Sequence, residues 1–363
     1  MTEDEVLLQE TIRKIRPADP VMKEKAWAHW DSLCKPLRGF GRLEEMIVRL
    51  AGVQRTDRPH LSRRAAVIMG ADNGVVAEGI SQCSSDVTLQ VLNNMGEGIS
   101  SVCVMSRILN LDVLPVNIGM NSNAQHPRVR NIPVRFGTGN IAQGPAMTRE
   151  ECISSIAAGI RMADECAQEG YDLIITGEMG IGNTTTSAAC ACALFGAAPE
   201  TVTGRGAGLS GEGLSRKIRV VEKALEVNEL DASHPENRRD PLLICSRVGG
   251  LDIAGMTGCF LGGAANGTAV WIDGVISGIS ACLAVMLCPE SADYMFATHA
   301  TSEPAGKLIM ERLGLEPVLY AGMHLGEGTG AAAVLPLADQ ALNVYYGLPR
   351  FAEGNVEPYQ HLK

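Results

Sequence analysis

The chain has 363 residues, 46% of them hydrophobic, which is long enough to bury one large core with a smaller one beside it. Its formal net charge of −10 argues against a nucleic-acid partner, because phosphate backbones are bound mainly by clustered Lys and Arg side chains. Apolar stretches end well before the length of about 18 to 20 residues that a membrane span needs. The acidic start, Met1-Thr2-Glu3-Asp4-Glu5, is unlike the basic start of a signal peptide.

Eleven cysteines are scattered along the chain, without a CxxC pair. An odd, scattered set is typical of a reducing compartment rather than of a disulfide framework, so we expect a cytoplasmic protein. Cys190 and Cys192 lie in an alanine-rich segment, where thiols fill a core more often than they bind a metal.

The first sixty residues have the pattern of short helices separated by Pro17, Pro20 and Pro36. Beyond them, short apolar runs alternate with amphipathic segments, one of which is the helix Arg149–Gln168 behind the capping box Thr148-x-x-Glu151. This alternation predicts an α/β fold with a Rossmann-like parallel sheet flanked by helices. The predicted strands are residues 65–69, 113–118, 172–176, 268–272, 294–297 and 317–320.

Residues 177–186 are the most informative segment, because a carboxylate, three glycines and several hydroxyls fall where a predicted strand turns into a helix. Backbone N–H groups and the positive end of the helix dipole at such a turn favour an anion. The segment therefore predicts a phosphate cradle with Glu178 beside it. The alternative is a structural turn, in which the glycines permit the bend and the threonines cap the helix.

Residues 325–333 repeat the design, since an acid, Glu327, again lies among glycines after a predicted strand. Flanking glycines let a ring approach the carboxylate, and shielding from bulk water raises a carboxylate pKa from about 4.3 toward neutrality. These are the properties of a general base. The alternative is a loop acid that caps its own helix. Loops after parallel strands meet at one edge of the sheet, so we expect the 70–79, 177–186 and 325–333 loops to converge.

Six separated segments resemble those of one family, in that family's order and over nearly the whole chain. They are residues 71–79, 139–147, 177–186, 248–256, 273–274 and 325–333. On these motifs the chain resembles the nicotinate-nucleotide:base phosphoribosyltransferases, which attach ribose phosphate to the lower-ligand base of cobamides. The resemblance implies an enzyme, a pentosyltransferase, that moves 5-phosphoribose from nicotinate mononucleotide to an acceptor base in cobamide (vitamin B12-type) biosynthesis. The products implied are an α-ribotide and nicotinate.

The resemblance also implies roles for single residues. Glu327 is the general base, and Glu178 is a second catalytic carboxylate near the ribose or a positioned water. Nucleotide and phosphate binding is implied for Gly180, Asn183, Thr184, Thr185, Gly206, Lys217, His299 and Ser302. Base binding is implied for Asp72, Asn73, Cys83, Ser84, Val91, Met179 and Leu325. Without the resemblance, Lys217 is an exposed, solvated charge and His299 is either a donor or a packed loop residue.

No cofactor or metal is implied. Transferases that use a pyrophosphate donor usually carry an acidic pair before a glycine loop to hold magnesium, and the sequence shows no such pair. The resemblance further implies a small helical domain from residues 1–60 plus 336–363, and a large α/β phosphoribosyltransferase domain over residues 61–335. A dimer is implied, of like chains or with a paralogous subunit. The apolar segment 275–284 suits either an interface or an ordinary core.

Some residues depart from the family pattern. Asn73 stands where most compared members have His; Cys83 and Ser84 replace a serine and a proline, and Val91 replaces a glutamine. Losing a hydroxyl and an amide leaves a buried benzimidazole nitrogen without partners, at about 1 to 3 kcal/mol, whereas a phenol does not incur that loss. The acceptor therefore stays open between 5,6-dimethylbenzimidazole and a phenolic such as phenol or p-cresol.

Two other classes remain. A non-catalytic paralogous subunit of a heterodimeric transferase would keep the fold and the glycine loops, but a decayed site is expected to lose Glu178 and Glu327 early. A nucleotide-dependent dehydrogenase fits less well, because Gly180-x-Gly182 does not complete a GxGxxG motif with an acid about 20 residues further on.

Overall fold

The computed structural model describes residues 1–354, 356–357 and 359. Its strands are β1 (Arg64–Ala71), β2 (Leu111–Gly119), β3 (Arg130–Asn131), β4 (Leu173–Met179), β5 (Ala269–Ile272) and β6 (Met295–Ala297). All pairings are parallel, in the order β3-β2-β1-β4-β5-β6. Because β1 and β4 are central and covered on both faces, nearly every residue in them is buried. The predicted α/β class with a Rossmann-like parallel sheet is confirmed.

Helices cover both faces of the sheet. In chain order they are α1 (Glu3–Lys14), α2 (Pro20–Ser32), α3 (Arg42–Gln54), α4 (Asp86–Glu97), α5 (Ser101–Ser106), α6 (Arg149–Gln168), α7 (Asn183–Phe195), α8 (Pro199–Val202), α9 (Gly211–Val227), α10 (Pro241–Val248), α11 (Leu251–Asn266), α12 (Val275–Leu287), α13 (Gly306–Leu313), α14 (Thr329–Ala332), α15 (Leu335–Gly347) and α16 (Phe351–Gly354). Short 3₁₀ turns lie at Gly74–Glu78, Asn237–Arg239 and Pro289–Tyr294.

Helices α6 and α11 pack against each other through their backbones. A Cβ atom at Gly159 would collide with the carbonyl oxygen of Gly255, and one at Gly258 would collide with that of Ile156. Such an approach requires glycine at the contact points. The predicted capping box begins α6, since Thr148 Oγ1 accepts the Glu151 N–H at 3.1 Å. The rigid pair places the first turn of α11 beneath the loop that follows β4.

Five of the six predicted strands are present, although Tyr294 belongs to a 3₁₀ turn rather than to β6. The predicted strand at 317–320 is wrong. Leu319 forms only an isolated bridge with His299, and the N–H groups of Val318 and Leu319 both donate to the Thr298 carbonyl, so no ladder develops. Pro317, which has no N–H, cannot extend it. The edge strand β3 was not predicted, because two exposed polar residues carry no apolar signal.

The predicted helices in the first sixty residues are α1, α2 and α3. A small apolar cluster separate from the main core joins α2, α3 and α15: Ala26, Trp30, Leu33, Ile47, Val48, Ala51, Ala341 and Tyr345. In contrast, Leu8 and Ile15 belong to the main core. The boundaries 1–60 plus 336–363 and 61–335 therefore stay a prediction, and residues 355, 358 and 360–363 lie outside the described part of the chain. No described helix is both long and apolar enough to cross a membrane.

Candidate active site

A cavity of about 320 Å³ opens beside the carboxyl ends of β4 and β5. Four stretches form most of its wall, namely residues 178–184, 205–207, 273–277 and 323–327. This is the edge of a parallel sheet at which ligands are expected to bind. The 177–186 and 325–333 loops meet here as predicted. The 70–79 loop does not line the cavity; the residues that directly follow it, Ile80, Ser81 and Gln82, do.

Glu178 lies one residue before the end of β4, and its carboxyl group is almost fully buried. Burial first, and then the nearby Asp252 carboxylate, raise the pKa of Glu178 to about 8, against the lowering effect of the hydrogen bond from Asn183. A carboxylate with a pKa in this range retains a proton at neutral pH more readily than an exposed one.

Glu327 is held in an unusual backbone conformation. Its φ is +60°, and the flanking Gly326 and Gly328 have φ values of +90° and +79°. Such a run is rare for a residue with a side chain, and strain of this kind persists only where the surroundings impose it. Here they do: a Cβ atom on Gly177 of β4 would lie 2.9 Å from the Gly328 nitrogen, so loop and strand are in direct contact.

Asp273, directly after β5, holds the far side of this loop. Its Oδ2 accepts the Gly328 N–H at 3.2 Å and its Oδ1 accepts the Ala331 N–H at 2.9 Å. Burial raises the pKa of Asp273 to about 6, against the lowering effect of these backbone donors. On the near side, Glu327 Oε2 accepts the Val102 N–H at 3.4 Å. Burial also raises the pKa of Glu327, as predicted for a candidate base, and backbone N–H groups of α5 oppose the rise.

Lys217 comes from α9 and is only 1% exposed. Its Nζ donates to Thr184 Oγ1 at 2.7 Å, in the first turn of α7. Burial lowers the pKa of Lys217 to about 8, and the Glu303 carboxylate partly offsets this. The interpretation of Lys217 as a solvated surface charge is therefore wrong. A buried ammonium beside a helix N-terminus is a suitable partner for a phosphate group.

The space beside Lys217 depends on Gly206. A Cβ atom there would lie 2.9 Å from Thr184 Oγ1 and 3.4 Å from Lys217 Nζ. His299 lines the cavity and is 5% exposed, with Nδ1 4.0 Å from Asp273 Oδ1. Burial lowers the pKa of His299, which favours the neutral imidazole. Nδ1 of His299 has no hydrogen-bond partner among the described residues. His299 is therefore packed, as one alternative expected, and it also keeps a polar atom that a ligand could contact, as the other expected.

Most of the predicted site residues share the cavity wall. They are Val91, Glu178, Met179, Gly180, Asn183, Thr184, Gly206, Lys217, His299, Leu325 and Glu327. The roles assigned to them remain predictions.

Six others lie outside that wall. Thr185 is buried in α7, Ser302 is exposed, and Cys83 and Ser84 are exposed on the loop before α4. Asp72 is buried, with its Oδ2 accepting the Asn121 N–H at 2.8 Å. Asn73 is buried and donates to the Ile181 carbonyl at 3.3 Å, so it supports the cradle from behind. The structure does not bring these six side chains to the cavity.

The sequence analysis did not identify Asp252 and Asp273 as site residues, although both lie in segments that resemble the family. Asn183 Nδ2 donates to Asp252 Oδ2 at 3.0 Å, and Asp273 anchors the Glu327 loop. One signal was available for Asp273, because it directly follows a predicted strand, as a carboxyl-edge residue does. Asp252 opens a helix, where an acid is ordinary, so its proximity to Glu178 had no local signal.

A glycine-lined cradle, a buried lysine and buried carboxylates at the carboxyl edge of a parallel sheet define an enzyme that acts on a phosphorylated substrate. A family model described as phosphoribosyltransferase matches residues 15–356. The nicotinate-nucleotide–dimethylbenzimidazole phosphoribosyltransferase of Acetivibrio thermocellus is 44% identical over 330 residues, covering 91% of this chain and 92% of the relative. The enzyme of that name from Ruminiclostridium cellulolyticum is 41% identical over 355 residues, with 98% and 99% covered.

A solved structure agrees. The crystal structure of CobT from Thermus thermophilus superposes with a TM-score of 0.87 at 37% identity, covering 94% of this chain and 100% of that chain. The chain therefore belongs to the nicotinate-nucleotide–dimethylbenzimidazole phosphoribosyltransferase family, which confirms the resemblance drawn from its motifs.

Proposed function

We propose that this chain transfers 5-phosphoribose from nicotinate mononucleotide to the lower-ligand base of a cobamide, releasing nicotinate and an α-ribotide. The relatives' names support this reaction. The observation that carries it is that Glu327, Glu178 and Lys217 line one cavity although they come from three distant parts of the chain. In this proposal Glu327 serves the acceptor, Glu178 the ribose and Lys217 the phosphate.

The leaving group needs no acid. The nicotinate ring nitrogen in the donor is quaternary, so its departure from the anomeric carbon neutralises a cation. The acceptor, in contrast, must lose a proton as it attacks. Glu327 takes that proton, because its pKa is raised by burial and its carboxylate is anchored at the α5 backbone.

The phosphate lies at the cradle in this proposal. Lys217 supplies the positive charge and Thr184 a hydroxyl. The N–H groups of Ile181 and Asn183 donate to Thr88 Oγ1 and to the Gly180 carbonyl, so further backbone donors come from residues 180, 182 and 184. A monophosphate held in this way requires no metal. Gly206 keeps the space beside Lys217 open.

The acceptor side is largely apolar, with Ile80, Val91, Met179 and Leu325 in the wall. Both 5,6-dimethylbenzimidazole and a phenolic remain candidates. Of the three residues that favour a phenol, Cys83 and Ser84 do not line the cavity, and Val91 does. Phenol has a pKa near 10, like tyrosine, so Glu327 would assist its deprotonation during attack rather than before it.

We also propose a dimer, either with a second copy or with a paralogous subunit, and a reducing, cytoplasmic location. All eleven cysteines are unpaired, and nine of them are buried, which supports the location. A purely binding role within a heterodimer is the alternative function. The retention of both Glu178 and Glu327 in the cavity favours catalysis.

The test is product formation by the purified chain with nicotinate mononucleotide and, side by side, 5,6-dimethylbenzimidazole, adenine and phenol. We expect turnover with at least one acceptor, and its loss in Glu327→Gln. Glu311→Gln, at an exposed acid on α13 that pairs with Lys307, is the matched control. Preference for the benzimidazole would refute the phenolic branch. Turnover restored only by a paralogous partner would favour the binding role.

A further inference from the structure

Asn183 joins two buried carboxyl groups beside the cavity. Its Nδ2 donates to Oε2 of Glu178 and to Oδ2 of Asp252, the second at 3.0 Å. Glu178, Asn183 and Asp252 are 8%, 4% and 0% exposed. An amide NH2 has two N–H groups, so both of its donors are occupied. Only Oδ1 of Asn183 remains to contact a nucleotide.

We call the hydrogen-bonded side chains of Glu178, Asn183 and Asp252 the array; its Asp252 end, far from the cavity, is fixed. Asp252 lies in the first turn of α11, which packs backbone to backbone on α6, and its Oδ1 accepts the Ile253 N–H at 3.0 Å. Gly180 closes over the array, because a Cβ there would lie 3.0 Å from Asp252 Oδ2. At the near end, Glu178 Oε1 faces Gly326, which lies in the wall of the cavity. Asp252 and Asn183 thus set the direction in which the Glu178 carboxyl group points.

The array is rich in negative charge. Asp252 from α11, Asp273 from the end of β5 and Glu327 from its loop all face Glu178, and Asp72 faces Asp252. The cations in the cavity wall are engaged elsewhere: Lys217 donates to Thr184, and Arg205 donates to the Leu209 carbonyl. In the described part of the chain, neither Glu178 nor Asp252 forms an ion pair with Lys or Arg.

We propose that Asp252 is a positioning residue for the reaction: through Asn183 it aims the Glu178 carboxyl group, and its charge keeps that group protonated, so that Oε1 donates a hydrogen bond to a ribose hydroxyl oxygen. This inference rests on the proposed function. The pKa of Glu178, raised to about 8 first by burial and then by Asp252, and that of Asp252, raised to about 6 by burial, agree with a protonated Glu178 beside a charged Asp252 at pH 7. Glu178 is then a neutral donor rather than a second base.

The direct test is the protonation state of Glu178. Infrared difference spectra of protein labelled with ¹³C-glutamate, assigned by the band lost in Glu178→Gln, separate the carboxylic acid from the carboxylate. We expect an acid band at pH 7 that disappears as pH rises through about 8. Asp252→Asn removes the charge; its amide oxygen can still accept from Asn183 Nδ2 while its NH2 takes the place of Oδ1 and loses the Ile253 N–H contact. Its transition should therefore move down by about one pH unit. Asn183→Ser keeps the charge and removes the donor that favours the carboxylate, so its transition should move up.

Opposite shifts in the two variants are the signature that a merely structural role would not produce. The plateau of kcat at saturating nucleotide should follow them, with the basic limb lower in Asp252→Asn and higher in Asn183→Ser. Absence of the acid band at pH 7, or a wild-type transition in Asp252→Asn, would overturn the proposal. If circular dichroism shows that Asp252→Asn does not fold, the wild-type acid band and the Asn183→Ser transition decide together, and absence of the band or an unmoved or lowered transition refutes the proposal. A wild type without turnover would contradict the function, while the spectra would still decide the effect of Asp252.

Discussion

Gly326 lies against the Glu178 carboxyl group so closely that a Cβ atom on Gly326 would be 2.5 Å from Oε1. The residue also has a φ of +90°. The loop that carries Glu327 therefore reaches the end of β4 only because residue 326 has no side chain. The relative placement of the two carboxyl groups depends on this contact.

Gly326→Ala should lower kcat by about tenfold or more, because the methyl group must push the Glu327 loop or Glu178 out of place. Gly322→Ala is the matched control, since Gly322 has a φ of +64° in the same stretch but no atom within 4 Å of its Cβ position. Both variants incur backbone strain, so their difference isolates the contact. Steady-state kinetics measure the effect, and equal losses in the two variants would contradict it.

Lys217→Met should reduce kcat/KM for nicotinate mononucleotide on the order of tenfold to a hundredfold, since one charge-assisted contact is lost. Lys223→Met, at an exposed lysine on the same helix, should leave it unchanged. The pKa of Lys217 is about 8, so its charge is present below pH 8 and lost above it. The advantage of the wild type over Lys217→Met should accordingly shrink as pH rises through about 8. An advantage that stays constant from pH 6 to about 10 would argue against a phosphate contact.

Asp273→Asn should lower kcat, because Asp273 accepts N–H groups from Gly328 and Ala331 with different oxygens. The amide NH2 would face one of those donors, so the Glu327 loop loses an anchor. We expect about a tenfold loss or more. Asp231→Asn, at a partly exposed acid paired with His234, is the control and should retain full activity. A crystal structure of Asp273→Asn with Glu327 unmoved would count against this explanation.

Glu178→Gln should stabilise the protein at pH 8, because the amide that replaces the carboxyl group cannot ionise. The folded-state pKa of Glu178 is raised, so the folded protein binds more protons than the unfolded chain and stability falls as pH rises from about 4 through about 8. The neutral amide removes that dependence, and a Tm about 2 °C or more above the wild type is expected at pH 8. Calorimetry at pH 5 and pH 8 should show a larger gain at pH 8.

Glu44→Gln provides the contrast, because Glu44 is fully buried and pairs with Lys35 at 2.8 Å. Breaking a buried pair leaves an uncompensated charge, which is strongly destabilising. Its Tm should fall at both pH values. A Tm decrease for Glu178→Gln at pH 8 would show that its burial is not a source of instability.

The apolar strands were predictable from the sequence, because a strand buried on both faces is a continuous apolar run, as in residues 65–69 and 172–176. The strand predicted at residues 317–320 is absent, because an apolar run alone does not make a strand. It is short and apolar, but it contains Pro317 and lies beyond the edge strand, where only one bridge forms. Periodicity does not report whether a neighbouring strand has free backbone groups.

In the site, local motifs located the cradle and Glu327, since glycine next to an acid after a strand is a local pattern. The burial of Lys217 was not predictable, because it depends on residues 204–206 and Glu303 closing over one face of α9. The Asn183–Asp252 contact joins residues 69 positions apart in sequence. Such a contact arises from the packing of α11 on α6, which no local pattern encodes.

Phosphoribosyl transfer is measured by incubating the purified chain with nicotinate mononucleotide and 5,6-dimethylbenzimidazole, then quantifying nicotinate and ribotide by chromatography with mass detection. We predict that the two products appear in equal amounts, that the ribotide is the α-anomer, and that Glu327→Gln makes neither. Turnover by Glu327→Gln at the wild-type rate would show that the cavity transfers phosphoribose without Glu327 as its base.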